Sequence, residues 1–175
     1  MAIIFSIIFL IASAAMRVGQ FVPNFVPVGA LALWSGVYLP KRYAFFVPIA
    51  AMFVSDIFVG FYDLRMMIAV YGSFALITLI GVLFKKQKST GTMLAGSVMG
   101  SVIFFGVTNL AVWLWSGMYP HTITGLLLCY EMAIPFFHNT FVSDLVFNGM
   151  FFGAYGLALL APRVIPPLTF RKSDL

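Results

Sequence analysis

The sequence predicts an all-α membrane protein in which one domain, 1–175, forms a bundle of six transmembrane helices. Composition is the first reason: 62% of the 175 residues are hydrophobic and 9% are charged, against roughly 45–50% and 25% in soluble domains. The second reason is that the charged residues fall between long apolar runs, as in multi-pass membrane proteins. This composition excludes a soluble enzyme, a nucleic-acid-binding protein and a disordered regulator.

Six apolar runs have, or approach, the length of about 17–25 residues that a transmembrane helix needs. The predicted spans are 2–16, 26–40, 43–61, 66–84, 92–114 and 140–161. The first two are short and need cover from neighbouring helices. The stretch 115–139 is too polar for a span and contains Pro135, so we expect an outer loop carrying a surface or re-entrant helix that is interrupted there.

Small residues four positions apart mark helix faces that can approach closely. The pairs are Ala32 and Gly36 in span two, Gly96 and Gly100 in span five, and Gly149 and Gly153 in span six. We expect these pairs to serve packing within the bundle rather than dimerisation.

The ten cations predict the orientation of the bundle. With a cytoplasmic N-terminus, only Arg17 and Arg65 lie on the outer side. The inner side then holds Lys41, Arg42, Lys85, Lys86, Lys88, Arg163, Arg171 and Lys172. This excess agrees with the positive-inside rule, whereas five or seven spans would divide these clusters. We therefore predict six spans with both termini in the cytoplasm.

Two alternatives concern the organisation of the chain. Residues 3–12, followed by Ala12-Ser13-Ala14, are similar to a signal-peptide core with its cleavage site, although no basic residue precedes them. The two halves also share short motifs, which would fit an inverted repeat or chance. These motifs are W-S-G-x-Y at 34–38 and 115–119, and F-V-S-D at 53–56 and 141–144.

Ionisable groups inside a membrane cost at least about 2.5–3.5 kcal/mol, which makes Asp56, Glu131 and Asp144 informative. We expect the two aspartates to face the bundle interior near its outer end and to pair with Arg17, Arg65 or a backbone donor. Together with other polar and aromatic residues of that side they predict a ligand pocket; the alternative is a set of structural ion pairs. The candidate ligand-binding residues are Arg17, Asn24, Asp56, Tyr62, Asn109, Tyr119, His121, His138, Asn139 and Asp144.

Motifs of known chemistry are missing from the sequence. It has no nucleophile elbow, no zinc-protease motif and no phosphate loop, so we predict neither an enzyme nor a cofactor. His121, Cys129, Glu131 and His138 do not have the spacing of a metal site, and we predict no metal. An intramembrane enzyme that uses His121 or His138 is a weaker hypothesis.

Three stretches of the chain carry a resemblance to a known family. They are Arg17-x6-Asn24-Phe25-x-Pro27-x2-Ala30-Leu31-Ala32-Leu33-Trp34-Ser35-Gly36, Met52-x2-Ser55-Asp56-x3-Gly60-x-Tyr62, and Tyr119-Pro120-His121-Thr122 with Ile134-Pro135-Phe136-Phe137-His138-Asn139-Thr140. Together they cover most of 17–153. The chain thereby resembles the substrate-binding S components of energy-coupling-factor transporters, including the cobalamin-type ones.

The resemblance implies six helices with both termini cytoplasmic, in a bacterial inner membrane. It implies a vitamin-like small molecule bound near the outer face, beneath lids formed by the loops after helices one, three and five. It also implies docking, through helices one to three, on a module of one membrane protein and two ATPases.

The sequence departs from the family at the docking helix. S components that share a module commonly carry an alanine pair four residues apart on helix one, but here Met16 follows Ala12 and Arg17 follows Ser13 at that spacing. A solitary importer therefore stays open. So does a non-transporting membrane subunit that scaffolds a larger membrane complex, which an apolar surface rich in Phe and Met would also suit.

Overall fold

Six α-helices make up the computed structural model, which describes residues 1–19 and 22–164 and side chains as far as 160. They are α1 (Ala2–Gly19), α2 (Val28–Tyr38), α3 (Lys41–Val59), α4 (Leu64–Phe84), α5 (Thr90–Trp115) and α6 (Ile123–Val164). No β-strand occurs among the described residues. The all-α class predicted from composition is confirmed.

Five of these helices are long and apolar enough to cross a membrane: α1, α3, α4, α5 and α6. The chain is therefore a multi-pass membrane protein. The exception is α2, whose 11 residues reach only about 16 Å against a hydrocarbon core of roughly 30 Å. Prolines set its limits, because Pro27 precedes its first turn and Pro40 holds Leu39 in an extended conformation. The predicted segment 26–40 was thus too long.

The short helix α2 is the centre of the bundle. Every residue from Val28 to Val37 is buried. One side of α2 presents Leu31 and Trp34 to aromatic residues of α1 and α6. Another side presents Val28 and Leu33 to a cluster with α3 and α4 that includes Met52. Its neighbours therefore take their positions from this helix.

The closest approach between helices joins α2 to α4. A Cβ on Gly36 would lie 2.8 Å from the Cα of Gly81 and still closer to the carbonyl oxygen of Thr78. The Gly96 and Gly100 pair faces Leu33 and Ile77. These glycines pack within the bundle, as predicted.

Gly149 and Gly153 differ from the other small-residue pairs. A Cβ built on either one meets no atom within 4 Å. The prediction that this pair packs inside the bundle is therefore wrong, because no other helix of the described chain covers that face of α6.

The largest difference from the prediction is α6. The stretch 115–139 is not an outer loop with an interrupted helix: the loop ends at Thr122, and α6 continues through Pro135 into the predicted span 140–161. Pro135 removes the hydrogen bond to the carbonyl of Glu131 and crowds that carbonyl, but the helix continues on both sides of it. With 42 residues, α6 extends over about 63 Å if straight.

The described cations lie at two ends of the bundle. Lys85 Nζ donates to the carbonyl oxygen of Leu39 at 2.8 Å, which ties the α4–α5 connection to the α2–α3 turn. We call the end of the bundle that holds these two connections the Lys88 end, after a residue of the α4–α5 connection; it also holds Lys41, Arg42 and Lys86. Arg17 and Arg65 lie at the opposite end, here called the Arg17 end. The side chain of Arg163 is not described, and Arg171 and Lys172 lie outside the described residues.

The glycine contact between α2 and α4 generates a stability prediction. Gly36→Ala inserts a methyl group between two backbones that already touch, so we expect a loss of about 1–3 kcal/mol in the free energy of unfolding. Gly72→Ala in α4 is the matched control, because open space surrounds that position and alanine favours the helix by up to ~1 kcal/mol. Thermal unfolding in mild detergent measures both. Equal stability of the two variants would contradict the packing described here.

Candidate functional site

A buried ion pair joins α1 to α3. Asp56 is fully buried, and Arg17 Nη1 forms an ion pair with its Oδ1. Arg17 Nη1 also donates to Ser55 Oγ at 2.7 Å, and the hydroxyl of Tyr71 donates to Asp56 Oδ2 at 2.6 Å. Of the partners expected for Asp56, which were Arg17, Arg65 or a backbone donor, the structure shows Arg17. Charge neutralisation of this kind allows a carboxylate to sit inside an apolar bundle.

The second buried aspartate, Asp144, has no cationic partner among the described residues. Its Oδ2 accepts from Ser101 Oγ at 2.7 Å, so the expected arginine or backbone donor is replaced by a hydroxyl group. Its Oδ1 faces Gly29, where any side chain would overlap the carboxylate. Gly29 lies in the first turn of α2, so the carboxyl group of Asp144 lies against the start of that helix.

Three adjoining cavities lie at the Arg17 end and share Asn24 and Phe104; we call them the Asn24 cavities. One of about 270 Å³ is lined by Arg17 and Tyr62. A second of about 240 Å³ is lined by Asn109. The third is only about 40 Å³ and reaches Asp144 and Gly29. Together they fall in the range of roughly 300–1,000 Å³ that is typical of small-molecule pockets.

The loop that carries Asn24 is held firmly in place. Asn24 has a φ of 59°, a left-handed conformation that asparagine tolerates better than most residues. Asn139 Nδ2 donates to the carbonyl oxygen of Pro23 at 3.0 Å, and Ser143 Oγ donates to that of Val26 at 3.0 Å. Two side chains of α6 therefore fix this wall of the cavities.

The second cavity exists because α6 departs from a path parallel to α5. Asp144 contacts Ser101, whereas Tyr130 donates to the carbonyl oxygen of Gly106 at 2.7 Å. Along straight helices, Tyr130 and Asp144 would be about 21 Å apart on α6, whereas Ser101 and Gly106 would be about 7.5 Å apart on α5. This difference is larger than the side chains can span. Pro135 lies in the divergent stretch, which leaves space between the two helices.

Tyr62 reaches the largest Asn24 cavity from the loop before α4. Burial, and secondarily the Asp56 carboxylate, raises the pKa of its hydroxyl, while Arg17 acts in the opposite direction. The hydroxyl therefore stays protonated and can donate a hydrogen bond. The loop ends where Asp63 accepts from the backbone N–H groups of Arg65 and Met66, which starts α4 two residues before the predicted position.

The predicted site residues divide into three groups. Arg17, Asn24, Tyr62, Asn109 and Asp144 line the cavities. Asp56 and Asn139 hold residues of this lining in place. Asp56 forms the ion pair with Arg17, and Asn139 donates to the carbonyl oxygen of Pro23. Tyr119, His121 and His138 are absent from the lining, and the two histidines are exposed.

Other residues of the site were not among the predicted ligand-binding residues. Tyr71, Ser101 and Thr140 complete the polar contacts and the lining. The spacing of Ser97 and Ser101, four residues apart beside Gly96 and Gly100, was a weak signal for a polar face on α5. In the part of the chain that the structure describes, no three His, Cys, Asp or Glu residues form a group that could hold a metal ion.

The ion pair generates a second stability prediction. Arg17→Gln leaves the Asp56 carboxylate buried without its cation, which costs about 3–5 kcal/mol. The double variant Arg17→Gln/Asp56→Asn recovers most of this loss, because no charge stays buried. Arg65→Gln, at an exposed cation of the same end, changes stability by at most about 0.5 kcal/mol. Chemical or thermal unfolding in detergent tests the series, and a loss in Arg65→Gln as large as that in Arg17→Gln would refute the assignment.

Comparison with known proteins gives a family but no characterised relative. No curated protein and no solved structure matches the chain. Residues 1–167 match DUF6580, described as a family of unknown function. Since this match covers nearly the whole chain, the protein belongs to the DUF6580 family.

Proposed function

We propose that this chain is a membrane-embedded binding protein for a small, partly apolar metabolite, and that it serves an uptake system of the S-component type. The observation that carries the proposal is the set of Asn24 cavities, where residues of all six helices and two loops converge. Concave, largely apolar sites with a few convergent polar groups are the usual form of small-molecule pockets.

The lining indicates the chemistry of the metabolite. Phe74 and Phe104 offer aromatic faces to a planar or apolar body. Arg17 is neutralised by Asp56, whereas Asp144 carries a carboxylate oxygen towards the smallest cavity. A volume of about 40 Å³ admits a functional group rather than a molecule. The metabolite therefore bears an N–H or O–H donor that reaches Asp144.

The same proposal includes the orientation of the chain: six passes through a bacterial inner membrane with both termini cytoplasmic. Its support is the separation of Arg17 and Arg65 from the lysine-rich Lys88 end, in the sense of the positive-inside rule. The Asn24 cavities then open towards the outer face. The short helix α2 counts as a pass because the loop residues before it, 22–27, extend the crossing from the start of α2 to the Arg17 end.

Uptake would need an energy source outside this chain. An ATPase-bearing membrane module is the partner that the S-component resemblance suggests. The missing alanine pair on α1 means that docking on such a module uses different contacts, or that the protein works without one.

A scaffolding subunit of a larger membrane complex is the second candidate function. The observation in its favour is the first half of α6, where Ile123, Leu127 and Ile134 are more than half exposed. An apolar face of this kind can bind a partner, although lipid can also cover it.

The orientation is tested by labelling single cysteines in a Cys129→Ala background. His121→Cys and Lys86→Cys place thiols in exposed loops at opposite ends of the bundle. In spheroplasts, a membrane-impermeant maleimide should label the first variant, and label the second only after permeabilisation. The reverse pattern would invert the proposed topology.

Binding is tested by thermal unfolding in the presence of a small-molecule fraction from cell extract. A metabolite at about 100 times its Kd adds about 2.7 kcal/mol, which raises the Tm of a chain of this size by roughly 5–10 °C. Asn24→Gly removes the amide and keeps the left-handed backbone, and Asp144→Asn replaces one carboxyl oxygen by an NH₂ group and keeps the shape. Both should abolish most of the Tm increase.

His138→Ala is the matched control, because His138 is exposed and absent from the cavity lining. It should respond to the extract like the parent protein. If Asn24→Gly and Asp144→Asn also respond like the parent, the assignment of the site is wrong.

A further inference from the structure

A second concave site lies at the Lys88 end, remote from the Asn24 cavities. It has a volume of about 360 Å³ and runs between the start of α5 and the middle of α6. We call it the Gly149 groove. Its lining includes Tyr38, Lys88, Thr90, Asn148, Gly149 and Gly153.

The floor of this groove is made by the two glycines that pack against nothing. Open space surrounds Gly149 and Gly153, whereas Gly96 and Gly100 on α5 are covered by Leu33 and Ile77. Phe152 and Leu94 add apolar walls. The groove is thus a narrow apolar channel on the membrane-facing side of α6.

Asn148, one of the residues that line the groove, has a buried polar atom without a partner. Asn148 is 5% exposed. Its Nδ2 donates to Ser97 Oγ at 2.8 Å, but its Oδ1 has no hydrogen-bond partner. An unsatisfied buried polar atom destabilises the folded protein. Rotating the amide by 180° lets Ser97 donate to Oδ1 and turns the NH₂ group into a free donor, so Asn148 can satisfy a polar group placed in the groove.

Positive charge is concentrated at the mouth of the groove. Lys88 Nζ lies 4.7 Å from the centroid of the Tyr38 ring and forms no ion pair within the described chain. At the start of α5, Ser89 accepts from the N–H groups of Thr92 and Met93, which leaves the first two amides of the helix open. The groove lining contains no acidic residue. The mouth therefore favours an anion, above all a phosphate.

We propose that the Gly149 groove binds an anionic phospholipid from the leaflet at the Lys88 end. The phosphate lies between Lys88 and the first turn of α5. An ester carbonyl reaches Asn148, which contacts Ser97, about 10 Å along α5 from its first residue. The acyl chain continues over Gly149 and Gly153. A lipid is the occupant because one molecule matches the charged mouth, the polar contact at intermediate depth and the apolar floor.

The test is native mass spectrometry of the full chain in detergent with added phosphatidylglycerol, compared with phosphatidylcholine. We expect the anionic lipid to bind about tenfold more tightly, because phosphatidylcholine has the same phosphate but its choline cation cancels the net negative charge that the mouth attracts. Lys88→Gln should weaken its binding about fivefold. Gly149→Leu, or Gly153→Leu if the first variant fails to fold, should abolish it because the side chain fills the channel.

Lys86→Gln is the matched control, since it removes the same charge from the same loop outside the groove. An equal loss of lipid binding in Lys86→Gln and Lys88→Gln would mean that the charge of the whole surface attracts the lipid, and this would overturn the proposal. Equal binding of the two lipids would also overturn it. The proposal would also be overturned if inorganic phosphate displaced the lipid and bound to Gly149→Leu as well as to the parent protein, because a free anion would then be the ligand. A protein partner lost in Gly149→Leu, with unchanged lipid binding, would assign the groove to a helix instead.

Discussion

The structure depends on one constraint: its central helix is too short to cross a membrane. All of α2 from Val28 to Val37 is buried, yet it spans only about half the length of α4. The backbone contact between Gly36 and Gly81 fixes α2 beside the half of α4 that lies towards the Lys88 end. Space therefore remains between the start of α2 and the Arg17 ends of its neighbours, and there the Asn24 cavities lie.

The two buried aspartates are stabilised in different ways, and this difference shapes the site. Asp56 is neutralised by Arg17 and hydrogen-bonded by Tyr71, so this pair holds α1, α3 and α4 together at little net charge. Asp144 has only a serine hydroxyl and the first turn of α2. A carboxyl group with spare hydrogen-bonding capacity beside a cavity is suited to meet a ligand, whereas a charge-neutralised one is suited to hold helices.

Much of the fold could be predicted, because apolar length, capping residues and prolines act locally. The limits of α3, α4 and α5 lie within about two residues of the predicted spans. Two errors concern proline, in opposite directions. The local rule predicts a break at Pro135, but α6 continues through it, whereas the predicted span 26–40 included Pro27 and Pro40, which set the limits of α2. Whether a helix tolerates a proline depends on the neighbouring helices and on the flanking residues, which a sequence pattern does not contain.

The site was predictable in part for the same reason. Buried charge is costly, so Asp56, Asp144 and the partner Arg17 stand out in an apolar sequence. Their hydrogen-bond donors Tyr71 and Ser101 do not, because the register between helices that joins them is set by packing across the bundle. His121 and His138 looked equally suitable, but both are exposed, since α6 extends beyond the fold that the sequence suggested.

The central claim is that the space between the start of α2 and the Arg17 ends of its neighbours, where the Asn24 cavities lie, binds a small molecule. The most direct measurement is native mass spectrometry of the unmodified protein released from mild detergent, followed by identification of any bound metabolite. The account predicts one stoichiometric organic adduct that carries a donor group and an apolar body. A clean apo mass in repeated preparations, with a protein partner attached in place of a metabolite, would contradict it and favour the scaffolding role.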